Sequence, residues 1–247
     1  MIAGSLLVAA ASFASPARAQ STPPKDDGWR FDATPYLWGA GINGDIKIGR
    51  LPTGGVEASF SEIFNSLHFA AMAAFEGRKD RWGFIVDAIY MDLSQSTPTP
   101  QAAFGDADGS LNEQLYTGLA SYRVLDGNVA VDVFAGPRYV SLDADLTLTS
   151  GSAAGRAASA SKSWWDGVGG ARVLWHLERN WFVTGLVDVG GGGSKFTWEA
   201  LVGAGYEFNK TISVKFGYRY LSVDYDTSSF LYDVATAGPF AGVGFRF

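Results

Sequence analysis

Residues 195–208 read KFTWEALVGAGYEF, and this stretch decides the fold of the chain. Apolar and aromatic side chains fill every even position from Phe196 to Phe208, while the odd positions, apart from Leu201, are charged, polar or glycine. A period of two is the pattern of a β-strand with one apolar face. The 14 residues of alternation exceed the roughly 9 to 11 that a tilted strand needs to cross a bilayer. The stretch therefore predicts a strand long enough to span a membrane.

The same alternation recurs along the chain after Trp29. It is clear in residues 82–90, 165–177, 181–189 and 211–220. It is weaker in the segments that contain Phe31, Phe75, Tyr122, Val131 and Phe245. Repeated strands of this kind, with no helical period between them, predict an all-β protein.

The connections between these strands alternate between short and long. The short ones are residues 77–80, 126–128, 178–180 and 209–210, and the long ones are residues 42–66, 96–110, 150–162, 190–194 and 226–229. Short turns at one end and longer loops at the other are typical of membrane barrels with both termini at the short-turn end. We therefore predict a closed antiparallel up-and-down transmembrane β-barrel of about ten strands over residues 29–247, with twelve or eight strands as alternatives.

Two local features leave alternatives open. Residues 44–60 are themselves strand-like, and form either a hairpin on the first long loop or a further strand pair in the barrel. A short helix capped by Ser59 or Ser61 follows. After Tyr220 the apolar phase passes to the odd positions, which indicates either a bulge or the end of the lipid-facing band.

Composition narrows the class of protein. Charged residues make up only 18% of the chain, and after residue 20 no apolar run approaches the roughly 20 residues of a membrane-spanning helix. The net charge of −6 and the lack of a basic stripe argue against a nucleic-acid partner. With no cysteine, neither a disulfide framework nor a thiolate metal site can form.

The N-terminus has the features of an export signal. Residues 2–13 form a short apolar core, and small residues at 17 and 19 precede a cleavage point. We predict a cleaved signal peptide over residues 1–19, a periplasmic N-terminal segment over residues 20–28, and a location in the bacterial outer membrane.

Alternation alone does not say which face is inside, because a soluble lipocalin-like barrel has a similar period. The aromatic residues of the apolar face gather near strand ends, as interface girdles do. Glycines such as Gly203, Gly205 and Gly217 lie on the charged face, where a crowded lumen needs them. Both features favour a membrane barrel with its charges inside, and a soluble periplasmic ligand-binding barrel is the alternative.

Charged side chains on the inner face form the predicted functional feature, a lumen charge network. Its members are Asp32, Glu76, Asp87, Arg123, Asp132, Arg138, Asp166, Arg172, Asp188, Glu199, Lys215 and Arg219. Isolated charges there would be costly, so we expect ion pairs. The network is expected to act as a structural plug or, alternatively, as a narrow polar pore for a small polar solute.

No catalytic, metal or cofactor site is predicted. Gly190–Gly193 is not followed by a helix and so does not resemble a phosphate loop. His176 lies beside a short turn, and His68 lies near the outer rim, where Asp92 or Asp224 could meet it. We expect no enzyme activity, with a rim-active lipid or peptide hydrolase as the alternative.

The chain ends in GVGFRF, with Gly242, Phe245 and Phe247 in a spaced pattern. This ending resembles the C-terminal signal by which outer-membrane barrels are recognised, and implies the barrel assembly machinery as a partner. Phe240 departs from that pattern, which usually has a polar residue there.

Residues 35–38 (PYLW), 81–83 (RWG), 122–124 (YRV), 217–221 (GYRYL) and 223–226 (VDYD) extend the resemblance over most of the chain. Together they resemble an uncharacterised family of proteobacterial outer-membrane barrels, small and porin-like. That resemblance implies the barrel fold, the outer membrane as its location, and outer-membrane lipid and lipopolysaccharide as partners. It implies almost nothing about function.

Overall fold

A computed structural model describes residues 28–48, 53–98, 104–151, 155–228 and 230–247. The predicted signal peptide, residues 1–19, and nearly all of the predicted segment 20–28 lie outside the described residues. The elements are β1 (Arg30–Trp38), β2 (Gly41–Ile48), β3 (Gly54–Ala58), α1 (Phe60–Ser66), β4 (Leu67–Lys79), β5 (Trp82–Pro98), β6 (Phe104–Leu125), β7 (Val129–Ser150), β8 (Arg156–His176), β9 (Trp181–Gly192), β10 (Phe196–Glu207), β11 (Ile212–Thr227) and β12 (Phe230–Arg246).

Ten of these strands close into an antiparallel barrel. The order is β1-β4-β5-β6-β7-β8-β9-β10-β11-β12, and β12 pairs with β1 to complete the ring. Two backbone hydrogen bonds between Phe31 and Phe247 stabilise this closure. The Phe31 N–H donates to the Phe247 carbonyl at 2.9 Å, and the Phe247 N–H donates to the Phe31 carbonyl at 3.0 Å. The predicted ten-stranded, up-and-down barrel is confirmed.

The strand-like residues 44–60 form a hairpin rather than two further strands of the barrel wall. Trp38 lies opposite Phe240 and Gly41 lies opposite Ala237, so β1 and β2 follow β12 in one unbroken register. Strand β2 is thus the upward continuation of β1, and β3 folds back on it. The β2–β3 hairpin therefore extends the barrel beyond the end of β1.

Helix α1 connects this hairpin to β4. Ser59 is its N-cap and forms a capping box with Glu62, whose Oε2 accepts from the Ser59 backbone N–H at 2.8 Å. The hydrogen bonds from Ser59 hold the pKa of the Glu62 carboxyl below its ordinary value. None of the helix side chains is buried, and both Phe60 and Phe64 are exposed. No described helix is long and apolar enough to cross a membrane.

The strands differ greatly in height. Strands β6 and β7 have 22 residues and β8 has 21, whereas β9 and β10 have 12. Much of the predicted loops 96–110 and 150–162 is therefore strand, and those two loop predictions were wrong. The short turns are tight, with Asp80, Arg179 and Asn180 at positive φ.

Candidate functional site: the barrel interior

The outward face of the wall is apolar. Leu37, Trp82 and Val202 are each more than 60% exposed, as side chains facing lipid would be. Aromatic pairs mark both borders of this band. Trp82 and Tyr122 meet at 4.9 Å near the short turns, and Tyr139 and Trp165 meet at 4.8 Å nearer the long loops. This arrangement is a hydrophobic belt between two aromatic girdles.

Within the barrel, the charges nearest the short turns gather around Asp132, a layer we call the lower ionic layer. Arg78, Arg123 and Arg172 donate to this buried carboxylate at 2.8, 2.9 and 2.8 Å. Arg172 also grips Glu76 through two hydrogen bonds of 2.7 Å. Paired N–H donors suit a carboxylate, so this geometry fixes both partners.

A second cluster, the central ionic layer, lies around Arg138, which is fully buried. Its Nη2 donates to Asp188 and to Glu199, both at 2.8 Å. Arg219 reaches Glu199 at 3.0 Å and Asp87 at 2.9 Å, so the cluster joins strands from opposite sides of the wall.

Two further groups complete the charged interior. Lys215 donates to Asp32 at 2.7 Å and to Thr34 at 2.8 Å. Asp166 differs from the others, because its partners are the Trp164 indole N–H at 3.1 Å and the Ser194 backbone N–H at 2.7 Å. Asp166 thus anchors the loop between β9 and β10, and no ion pair to it is formed among the described residues. All twelve predicted lumen residues point inward, and eleven take part in ion pairs.

Sequence reasoning missed two inward groups. Arg78 was assigned to a short connection, yet it is buried and belongs to the lower ionic layer. Its position two residues after inward-facing Glu76 is the signal that could have found it. Tyr36, the other missed residue, donates its hydroxyl to Asp87 at 2.7 Å.

Above the central ionic layer the interior turns apolar, forming what we call the upper apolar layer. Its buried members are Trp38, Ala40, Met72, Ile89, Met91, Leu115, Val140, Leu142, Trp164, Leu221, Val223, Phe230, Tyr232 and Val234. Trp164 of β8 stacks on Tyr225 of β11 with ring centroids 4.1 Å apart, across the low β9–β10 hairpin. Arg219 lies 5.0 Å from the ring centroid of Trp38, where the two layers meet.

The phase change after Tyr220 is explained by this layer. Strand β11 pairs with β12 without a shift from Ile212 to Thr227, so it contains no bulge relative to β12. Leu221 and Val223 point inward while Ser222 and Asp224 point outward. The alternative that the lipid-facing band ends there is the correct one.

Two adjoining cavities occupy the charged part of the lumen. One of about 200 Å³ lies around Arg138 and Arg219. The other, of about 330 Å³, lies at the short-turn end beside Arg30 and Arg246. Six residues line both: Asp32, Glu76, Arg172, Phe182, Thr184 and Lys215. The two cavities therefore adjoin, and together they extend from the short-turn end up to the central ionic layer.

The histidines do not join these clusters of charge. His68 is exposed, with its Nδ1 3.4 Å from Asp92 at the outer rim. His176 lines the cavity at the short-turn end of the barrel. Among the described residues no group of three or more histidine or acidic side chains is placed to hold a metal ion.

The C-terminal residues lie on alternate faces. Phe245 and Phe247 point outward, and the Phe247 ring lies 5.8 Å from that of Phe31. Gly242 points inward, where an added Cβ would come within 2.7 Å of the Tyr36 Cβ. Phe240 also points inward, toward the upper apolar layer. Its ring lies over two inner-face glycines, because a Cβ added to Gly203 or Gly217 would come within 3.1 or 2.8 Å of it.

Comparison with known proteins identifies the class of fold. No protein-family model and no curated protein sequence matches the chain. The Escherichia coli outer membrane protease OmpT is similar in structure, with a TM-score of 0.55 at 8% identity over 92% of this chain and 99% of that one. The translocator domain of the autotransporter NalP from Neisseria meningitidis gives 0.48 at 18% identity over 89% and 88%. Ail from Yersinia pestis gives 0.39 at 13% identity over 90% and 99%.

The likeness to OmpT and the lipid-facing belt together define the class. The chain is a transmembrane β-barrel of the outer-membrane type, with ten strands in its wall.

Proposed function

We propose that this chain is a closed, structural barrel of the bacterial outer membrane, without enzyme activity. Outer-membrane lipid and lipopolysaccharide would surround it, and the barrel assembly machinery would insert it. The observation that carries the proposal is the double closure of the lumen. An ion must pass the fully buried Arg138 with its two carboxylates and then the upper apolar layer.

The upper apolar layer is the stronger barrier to ions. Ionic groups can exchange partners with a passing ion, whereas packed apolar side chains offer it no replacement for water. Trp164 and Tyr232, which are both buried, fill the interior at this height with ring centroids 6.2 Å apart. We therefore expect the resting barrel not to conduct.

A narrow polar pore is the second candidate, and the two adjoining cavities favour it. They leave open volume at the short-turn end and around Arg138, and in a pore the upper apolar layer would act as a gate. A small polar solute would be the substrate of such a pore.

Planar-bilayer recording separates the two candidates, and adjacent tryptophans supply a matched pair of variants. Trp164 points inward and is 5% exposed, while Trp165 points outward and is 62% exposed. A structural barrel gives no current steps in the parent protein at any voltage. Steps in the parent protein that Trp164→Ala enlarges and Trp165→Ala leaves unchanged would support the gated pore and overturn the closed barrel.

The enzyme alternative rests on the His68–Asp92 pair. OmpT, which shares the fold, is a protease by name. This pair lies on the outer rim, where the His68 and Asp92 side chains are 76% and 35% exposed. We expect His68→Ala to leave every lipid and peptide hydrolysis assay at the level of the parent protein. Loss of a measurable hydrolysis rate in that variant would establish the enzyme.

A further inference from the structure

The lower cavity opens at the short-turn end of the barrel, and we call it the vestibule. Arg30, His176, Glu207 and Arg246 stand around its mouth, next to the turns and the chain ends. The lower ionic layer closes the inner end of the vestibule, opposite the mouth. Its volume of about 330 Å³ leaves room for a small molecule as well as water.

The vestibule carries an excess of positive charge, although the whole chain has a net charge of −6. Six cationic side chains line it: Arg30, Arg78, Arg123, Arg172, Lys215 and Arg246. The lining carboxylates are three, Asp32, Glu76 and Glu207. Asp132, which touches three of the arginines, raises that number to four, and six minus four leaves two positive charges. Asp126 also contacts Arg123 and is exposed, as Arg30 is, so counting it on the same terms leaves one positive charge.

One of these arginines has an unused donor. Arg78 is 6% exposed, and its Nη2 donates to Asp132 and Glu76. Its Nη1 is buried and has no hydrogen-bond partner among the described residues. A buried guanidinium donor without an acceptor is unfavourable, and a shift of the Arg78 side chain toward an anion or a water molecule in the vestibule would relieve this cost.

We propose that the vestibule binds an oxyanion of the phosphate class, a site that goes beyond the structural role of the barrel. The negative charge of the ligand offsets the positive excess of the walls. After that shift, several oxygens of one ligand can accept from Arg78 Nη1 and from its cross-strand neighbour Arg30 together. Arginine is the side chain best suited to phosphate oxygens, because its donors lie in a rigid plane.

Isothermal titration calorimetry of the full barrel in zwitterionic detergent tests the proposal. Inorganic phosphate is titrated at constant ionic strength, with sodium chloride as the competing salt. We expect saturable binding near one ion per barrel, weakened at least about tenfold by Arg78→Gln, which removes one charge-assisted contact. Arg179→Gln makes the same change of charge in an exposed turn at the same end, and should leave the affinity unchanged.

Further variants keep the test decisive if Arg78→Gln does not fold. Arg30→Gln alters an exposed residue at the mouth and should weaken binding severalfold. Glycerol 3-phosphate, titrated alongside, distinguishes a phosphate ester from the free ion, and tighter binding of either supports the site. Absence of saturable heat, equal competition by chloride, or an unchanged affinity in both Arg78→Gln and Arg30→Gln would overturn the proposal.

Discussion

Removing Arg138 is the sharpest test of the central ionic layer. Its guanidinium lies fully buried between Asp188 and Glu199, at 2.8 Å from each. In Arg138→Gln, Glu199 keeps Arg219 at 3.0 Å. Asp188 loses its cation, and its Oδ1 already has no hydrogen-bond partner in the described part of the chain. One carboxylate is thus left buried and unpaired.

The expected cost follows from that single unpaired charge. Breaking a buried ion pair by removing one partner destabilises a protein by about 3–5 kcal/mol. Most of this loss should come from Asp188, so adding Asp188→Asn to Arg138→Gln should restore at least about half of it. A contact worth only its own hydrogen bonds would show no such recovery.

The assay is urea unfolding of the barrel in lipid vesicles, followed by tryptophan fluorescence and by heat-modifiable migration on gels. Lys195→Gln is the control, since it removes a cation from the exposed pair with Asp226 and should cost far less. A loss of free energy of unfolding in Arg138→Gln no greater than in this control would refute the reasoning. So would a double variant no more stable than Arg138→Gln alone.

Two further predictions concern the upper apolar layer and the closure of the barrel. Glu113 points into the upper apolar layer, is 8% exposed, and has no hydrogen-bond partner for its Oε2 among the described residues. Glu113→Leu removes this buried carboxyl and should therefore raise the free energy of unfolding by about 1–3 kcal/mol. A lower urea midpoint in this variant would contradict the prediction. Phe247→Ala removes a ring that contacts Phe31 at the closure, so it should slow barrel assembly in cells and reduce the heat-modifiable band. Phe208→Ala, an exposed phenylalanine at the same end, should leave assembly near normal.

The sequence predicts the wall of the barrel well because the relevant signal is local. Within the lipid band, neighbouring residues of a strand face opposite environments, so the period of two reports both strand and face. Residues 196–207 form β10 as the alternation in 195–208 predicts. Gly203 and Gly205 point inward, where an added Cβ would come within 2.8 Å of the Phe216 carbonyl and 2.2 Å of the Phe182 ring.

The two loop predictions were wrong because the apolar face of the strands changes sides in those segments. In β7, Tyr139 is the last outward aromatic residue, and Ser141, Asp143 and Asp145 follow on the same outward face. Above the lipid a strand needs a polar exterior, so the apolar stripe changes sides without any break in pairing. A pattern search for lipid-facing strands reads this reversal as a loop.

The sequence does not predict which charged residues of the lumen network pair with each other. The alternation of side chains along each strand places Arg138 and Glu199 on the inner face. The two residues are 61 positions apart in the chain, however, and lie on strands that are not neighbours. Which arginine meets which carboxylate depends on the stagger of the strands around the barrel. That stagger is set by pairing over the whole ring and is not encoded in any one segment.

The reversal also explains why two opposite fold hypotheses each fit part of this sequence. In the lipid band the exterior is apolar and the lumen is ionic, as in a membrane barrel. Above it the exterior is polar and the interior holds Trp164, Ile89 and Val234, as in a soluble barrel. Each zone buries the side chains that its surroundings would not solvate, so one continuous wall satisfies both solvents. The same reversal places an ionic layer below an apolar one, and an ion entering from the short-turn end meets partners it could exchange and then packed side chains that offer none.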